Sequence, residues 1–472
     1  MDIPAFHLDF MGNRLLIAII AILHVLINHS LAVGLIPLVV LLERLGYKLQ
    51  NPDWDELARK IMFFAFIVTT SLGAMTGVGI WLSASLANPY SIGSLIRVFY
   101  WAWFTEWIVF VTEVVLILIY FLSWRRSNLN RAAKAKHIKV GTSLAIFSWI
   151  TMAIIVAILG FMMDTGNWMT DRSLLNGVFN PIYLPQLAFR TPVAMLMAGT
   201  VALFLTFLFT KKDTIFRTEA IHYVGMWILA WFFPACIGAI WYYTVIPDVM
   251  VNNFNVAIGT QAFQDWLESF KYVGAFAFLS IAITVGYLLF RRGKTSIIPT
   301  ILPVLTIFSL LLVFERTREF IRKPYVIGKY MYSNAYRPEE YALLNKEGIL
   351  KYATYVSTND VTPENKIEAG KNVFMLACSR CHTSNGINSV LNKFELLYGA
   401  GKPLEISAMV GYMKGMHNAR NYMPPFPGNT KEMEALAAYI KSLQDYPDPL
   451  EGAQENGVSI SPTQIIKGGI AK

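Results

Sequence analysis

At 472 residues, 55% of them hydrophobic and 15% charged, with a mean hydropathy of +0.45, the chain is too apolar for an ordinary soluble domain and reads as a membrane protein. Its formal net charge of +9 could suit a nucleic-acid binder. The basic residues crowd into a few short loops between apolar runs, however, and no nucleotide-binding signature or internal repeat occurs, so no nucleic-acid partner is expected.

Eight apolar runs of about the ~20 residues needed to cross a bilayer follow one another: Leu15 to Leu42, Ile61 to Leu86, Val98 to Trp124, Val140 to Met163, Pro192 to Thr210, His222 to Ile246, Val273 to Phe290 and Ile297 to Phe320. The first is too long for the apolar part of a signal peptide and has no small-residue cleavage site, so it is expected to remain as a span. The short amphipathic stretch before it carries His7, which could cap a haem pocket, although a surface histidine is the commoner reading. Arg125, Arg126, Arg131, Lys134, Lys136 and Lys139 fill one loop, Lys211, Lys212 and Arg217 another, and Arg291, Arg292 and Lys294 a third. These are alternate loops, as the positive-inside rule requires of a cytoplasmic face. Both termini then fall outside. The expected location is a bacterial inner membrane, with the C-terminal part in the periplasm.

Ionisable groups inside hydrocarbon are costly and mark functional sites. His24 lies about ten residues into the first run, or ~15 Å deep, and Glu106 lies at a similar depth in the third. Glu113 is seven residues further along the same helical face, ~10 Å deeper. Glu319 closes the eighth run at the outer side. An imidazole there can ligate haem iron, and a carboxylate can ligate it weakly enough to leave the opposite face open. The alternative is a histidine hydrogen-bonded between helices, with carboxylates paired to Arg316, Arg318 or Arg322. His29, ~140° around the helix from His24, could face a partner, a haem or a copper ion, although a packed histidine is the commoner role.

Ile321 to Pro363 form a connector with an amphipathic helix expected over Pro338 to Tyr355. Cys378-Ser379-Arg380-Cys381-His382 follows, then Met423-Pro424-Pro425-Phe426. Two cysteines three apart can form thioethers to haem vinyl groups, with the adjacent imidazole on the iron. A zinc site would need further cysteines, and the remaining one, Cys236, lies in an apolar run. Helices are expected around Ala369 to Phe374 and Glu432 to Ile440. Pro363 to Tyr446 therefore resembles a small class I cytochrome c holding one covalent haem c, with Met423 as the second axial ligand and His417 its competitor. The tail from Pro447 to Lys472 has no core pattern and reads as extended.

The apolar part carries a second resemblance. Arg14 through His24 with Gly34, the Gly73-Ala74-Met75-Thr76-Gly77 stretch, Lys136-His137, and Glu319-Phe320-Ile321-Arg322-Lys323-Pro324-Tyr325 occur in the order of the corresponding motifs of subunit I of the cytochrome bd oxidases. That resemblance, over roughly residues 10 to 330, implies an all-α bundle of about eight spans. It also implies one or two membrane haems of b or d type, and a second membrane subunit. Carried over, His24 would be an axial ligand of one haem and Glu319 would ligate or support another, with Arg322 on a propionate. Glu106 and Glu113 match the family's two helix-three glutamates, one lining the haem pair and one on a proton path, though spaced by seven residues here rather than eight.

The chain departs from the family where quinol delivers electrons. Arg190 and Val273 stand where the histidine and methionine of the low-spin haem are expected, the quinol loop shrinks to about Pro247 to Phe270, and the ninth helix is missing. The reading is an oxidoreductase subunit in which residues 1–325 form the haem-binding bundle, 326–362 a connector, 363–446 the cytochrome c and 447–472 a tail. A cytochrome c or another periplasmic carrier would donate electrons, passed to membrane haems that reduce oxygen to water. The competing reading is a non-catalytic electron-transfer and anchor subunit of a larger respiratory complex.

Overall fold

A computed structural model describes residues 4, 6–258, 267–292 and 294–445. The expected tail, 447–472, and residues 259–266 of the shortened loop lie outside the described residues; before that gap the loop forms the short helices Asp248–Val251 and Phe254–Ile258. The chain divides into two compact units. One contains Ala18–Leu82 and Ile92–Tyr330; the other gathers the residues up to Ile17, Ser83–Ser91 and those from Met331 onward.

All eight expected runs are helices long and apolar enough to cross a membrane: Asn13–Leu49, Pro52–Ala87, Tyr100–Leu122, Arg131–Met163, Tyr183–Phe209, Ile215–Thr244, Tyr272–Phe290 and Ile298–Ile321. The protein is a multi-pass membrane protein. Several helices begin outside their apolar run because the backbone stays hydrogen-bonded within the helix as it leaves the hydrocarbon. The fourth starts at Arg131, capped by Asn130, whose side chain accepts from the Ala133 N–H at 2.8 Å. His137 is thus inside a helix rather than before one.

The fifth span is the most enclosed of the eight. Close approach to it is set by glycine. A Cβ on Gly34 would stand 2.1 Å from the Ala194 carbonyl oxygen, and one on Gly238 2.3 Å from that of Ala188, so neither position tolerates a side chain in this packing. The first span is not a continuous α-helix. Asn28–Leu35 widens into a π-helical stretch, and from His29 to Leu35 every residue of it is buried. A second π-helical turn, Thr69–Gly73, interrupts the second span.

At the other end of the bundle Glu43, fully buried, accepts from the Tyr120 hydroxyl (2.7 Å), His137 Nδ1 (2.5 Å) and Lys134 Nζ (2.7 Å). Lys134 also pairs with Asp55. A buried carboxylate is tolerable only with this degree of compensation.

In the C-terminal module the helices Lys366–Ala377, Val390–Tyr398, Ile406–Ala419 and Thr430–Asp445 enclose Val373, Phe374, Phe394, Met409, Met413, Leu436 and Ile440. The first and last cross where Gly370 meets the Ala435 carbonyl; a Cβ would lie 2.0 Å away. The helix expected over Pro338 to Tyr355 is broken into Pro338–Glu340, Tyr341–Glu347 and Leu350–Tyr352. Gly348, at φ 91°, ends the middle piece, a conformation open to glycine and strained for other residues.

Candidate functional site

The helix Lys366–Ala377 ends at Cys378, and one further turn holds the motif. The Cys378 carbonyl accepts from the N–H groups of Cys381 (3.0 Å) and His382 (2.9 Å), placing both cysteines and the histidine on a single turn. His382 Nδ1 donates to the Asn388 carbonyl at 3.0 Å, and Asn388 Nδ2 donates to the Cys381 carbonyl at 2.8 Å. With the proton on Nδ1, Nε2 keeps its lone pair, the state an iron ligand needs. Burial lowers the imidazole pKa to about 4, against a smaller upward effect of the Asn388 hydrogen bond, so the ring is neutral at pH 7. This donor set fits a covalent haem.

His417 Nδ1 lies 2.6 Å from the Met423 carbonyl, and the Met423 N–H donates to the Arg420 carbonyl at 2.8 Å. The two sequence candidates for a distal ligand therefore meet, with the imidazole holding the backbone that carries the thioether.

Inside the bundle, His24 rests on the second span where its π-helical turn ends. Its Nδ1 lies 3.2 Å from the Gly73 carbonyl and 3.1 Å from Thr76 Oγ1. A carbonyl only accepts, so Nδ1 carries the proton. Nε2 is left with a lone pair, which accepts from Asn28 Nδ2 at 2.6 Å. Gly77 lies under the ring, where a Cβ would come within 3.0 Å of Cε1. The donor fits an iron in exchange for the Asn28 amide.

Glu113 accepts from Ser148 Oγ (2.7 Å) and Thr151 Oγ1 (3.2 Å) of the fourth span. Glu106 is half-buried two turns away on the same helix, and among the described residues no hydrogen bond joins either carboxylate to His24 or Glu319. Glu319 pairs with Arg322 and, at 3.7 Å, with Lys323. Arg322 is buried and also donates to the Val326 carbonyl at 3.0 Å.

Arg190, with 1% of its surface exposed, donates from NH1 to His29 Nε2 at 3.1 Å. Its NH2 lies 2.6 Å from Glu315 Oε1, and Arg318 Nε donates to Glu315 Oε2 at 3.0 Å. The guanidinium occupies the lone pair that a metal on His29 would require. This pocket therefore fits neither a copper ion nor a low-spin haem, and His29 is a packed, hydrogen-bonded histidine. Val273 is exposed on the seventh span. Among the described residues no three His, Cys, Asp or Glu side chains gather as a metal cluster.

The sequence reading missed three groups. Asn388 and Glu43 lie outside any motif. His7 is not a surface histidine: its side chain is 7% exposed, its ring stands edge-on to Phe374 at 5.6 Å, and its Nε2 meets Asp9 at 3.0 Å. Burial raises the Asp9 pKa, but hydrogen bonds from Ser384, His7 and Asn385 outweigh it and hold the carboxyl below its ordinary 3.8.

The cytochrome c family model matches residues 367–444. Those residues are a cytochrome c domain. Its presence implies a haem c. The chain is also similar in fold to the bd oxidase from Geobacillus thermodenitrificans, with a TM-score of 0.52 at 14% identity, covering 68% of this chain and 88% of that one. No curated protein matches the chain. The architecture is thus a bd-oxidase-like helical bundle joined to a C-terminal cytochrome c domain.

Proposed function

We propose that this chain is a bd-like respiratory oxidoreductase subunit that takes electrons from a periplasmic cytochrome c and delivers them through its own haem c to membrane haems that reduce oxygen to water. The observation that carries the reading is Arg190. Where the bd family resemblance calls for the histidine of the quinol-side haem, a buried guanidinium is bound to His29 and Glu315. A covalent haem on the attached cytochrome c domain then supplies the alternative entry.

Cys378 and Cys381 would hold the haem c covalently, and His382 and Met423 would supply the nitrogen and sulfur donors to its iron. In the membrane His24 holds one haem of b or d type. Glu319 holds or supports a second, and Arg322 offsets propionate charge. Bound there, the haems would supply one-electron transfer and oxygen chemistry; the chain's carboxylates move the protons. Glu113, hydrogen-bonded to two hydroxyls that can relay, passes protons from the cytoplasmic side, and Glu106 receives them nearer the outer face. The alternation of basic loops supports that assignment of the cytoplasmic side, and the reading puts the chain in a bacterial inner membrane with the cytochrome c domain periplasmic. A second membrane subunit of bd type completes the complex.

The competing reading is an electron-transfer anchor whose membrane haems only relay electrons to or from a partner. Haem extraction with spectra of the reduced and carbon-monoxide-treated complex decides between them. The oxidase reading expects membrane haem beside haem c and a carbon monoxide shift that His24→Ala removes. A complex whose membrane haems bind no carbon monoxide refutes it.

A further inference from the structure

Residues 6–13 lie against the loop that follows His382. The Asp9 carboxylate accepts from the backbone N–H groups of Ser384 (2.6 Å) and Asn385 (3.4 Å). The Phe10 carbonyl accepts from the Ile387 N–H at 3.3 Å. The segment is closed on itself by Asn13, whose Nδ2 donates to the Phe6 carbonyl (2.6 Å) and whose Oδ1 accepts from the Leu8 N–H (3.2 Å). Gly386 lets the two backbones meet, because a Cβ there would stand 2.0 Å from the Asp9 carbonyl oxygen. Gly12, at φ 79°, turns the segment against Thr383.

The loop so pinned is the one that orients the imidazole. Ser384 accepts from Ser389 Oγ at 2.7 Å and Thr383 from the Val390 N–H at 2.9 Å. The loop that these two ties close contains Asn388, whose carbonyl accepts from His382 Nδ1. We propose that the N-terminal segment is a positioning strap for haem c: Asp9 holds the Ser384–Ile387 turn, and through it the Asn388 carbonyl against His382. The inference rests on reading Cys378, Cys381 and His382 as the haem c site.

The strap acts on the redox equilibrium in one direction. A carbonyl on Nδ1–H makes an imidazole a stronger donor to iron, and a carboxylate beside the haem loop adds negative charge; both favour the oxidised, more positive state. Loosening the strap weakens the hold of the Asn388 carbonyl on Nδ1, and replacing Asp9 removes the negative charge as well; each raises the midpoint potential.

The test is a redox titration of haem c in the membrane-embedded full chain, with haem staining as control, for Asp9→Ala, Asp9→Asn and Gly386→Ala. The expected result is retained covalent haem with an upward shift in all three. The shift is smaller for Asp9→Asn, which keeps one acceptor oxygen. Should either alanine variant fail to mature, Asp9→Asn decides by the same measurement. Unmoved or lowered midpoints in the haem-bearing variants overturn the strap. Absence of covalent haem from the unaltered chain would instead remove the haem c reading itself.

Discussion

Asn388, at φ 61°, adopts the left-handed conformation that asparagine tolerates better than most residues. That turn aims its carbonyl at His382 while its amide returns to Cys381. Met423 depends on a similar backbone tie, through His417. Met423→Ala is expected to leave haem c attached but convert it to a high-spin or otherwise ligated form. His417→Ala should disturb the spectrum less, by loosening the Met423 carbonyl; visible spectra of the two variants check the order. Glu432 is structural. Buried, it accepts from the N–H groups of Ile349 (3.0 Å), Leu350 (2.8 Å) and Asn429 (3.1 Å), and its own N–H donates to Asn429 Oδ1 at 3.0 Å, a reciprocal cap on the last helix. Glu432→Ala strands three backbone donors and is expected to cost about 2–4 kcal/mol, read as a lower melting temperature of the Soret band.

Among the elements, the π-helical stretch Asn28–Leu35 has the largest consequence. π-helical turns commonly occur at functional sites, and this one begins four residues after His24 and contributes His29 to the buried cluster with Arg190, Glu315 and Arg318. Glu315 pairs with both guanidiniums, through one carboxylate oxygen each. Glu315→Leu takes the paired carboxylate from both in a buried setting and is expected to cost about 3–5 kcal/mol. Arg190→Leu leaves Glu315 its Arg318 partner and should cost less. Thermal unfolding in detergent measures both. Arg190→His is not expected to create a low-spin haem, because the bd resemblance puts Val273, which cannot ligate iron, at the second ligand's position; a haem extract of that variant shows whether b-type content rises.

For the whole molecule, the two units have separate apolar cores, so haem attachment and bundle folding are separable. The double variant Cys378→Ala, Cys381→Ala is expected to lose haem staining on a denaturing gel while the bundle still inserts and melts cooperatively. In the same preparations reduced cytochrome c should drive oxygen uptake by the unaltered complex and fail with the variant. Quinol should be a poor donor to both. Rapid quinol-driven uptake that survives loss of haem c would defeat the proposed entry route.

The spans and the haem c motif were legible in the sequence for a local reason. Membrane spans follow from uninterrupted apolar length, because backbone polar groups must be satisfied within the helix, and a thioether haem needs two cysteines and a histidine on one turn. Their positions in the chain therefore state their chemistry. Pairings between distant residues carry no such local mark. Arg190 on His29, Glu113 on Ser148, Glu43 on His137 and Asp9 on Ser384 each join residues at least 35 positions apart. His7 looked superficial because it stands in a short amphipathic stretch, and it packs against Phe374, more than three hundred residues away in the chain. The sequence by itself determined which residue types were available and which segments cross the membrane. Only the tertiary structure decided which side chains spend their hydrogen bonds on each other and which nitrogen of each histidine is left with a lone pair, since that depends on packing between segments and not on their order.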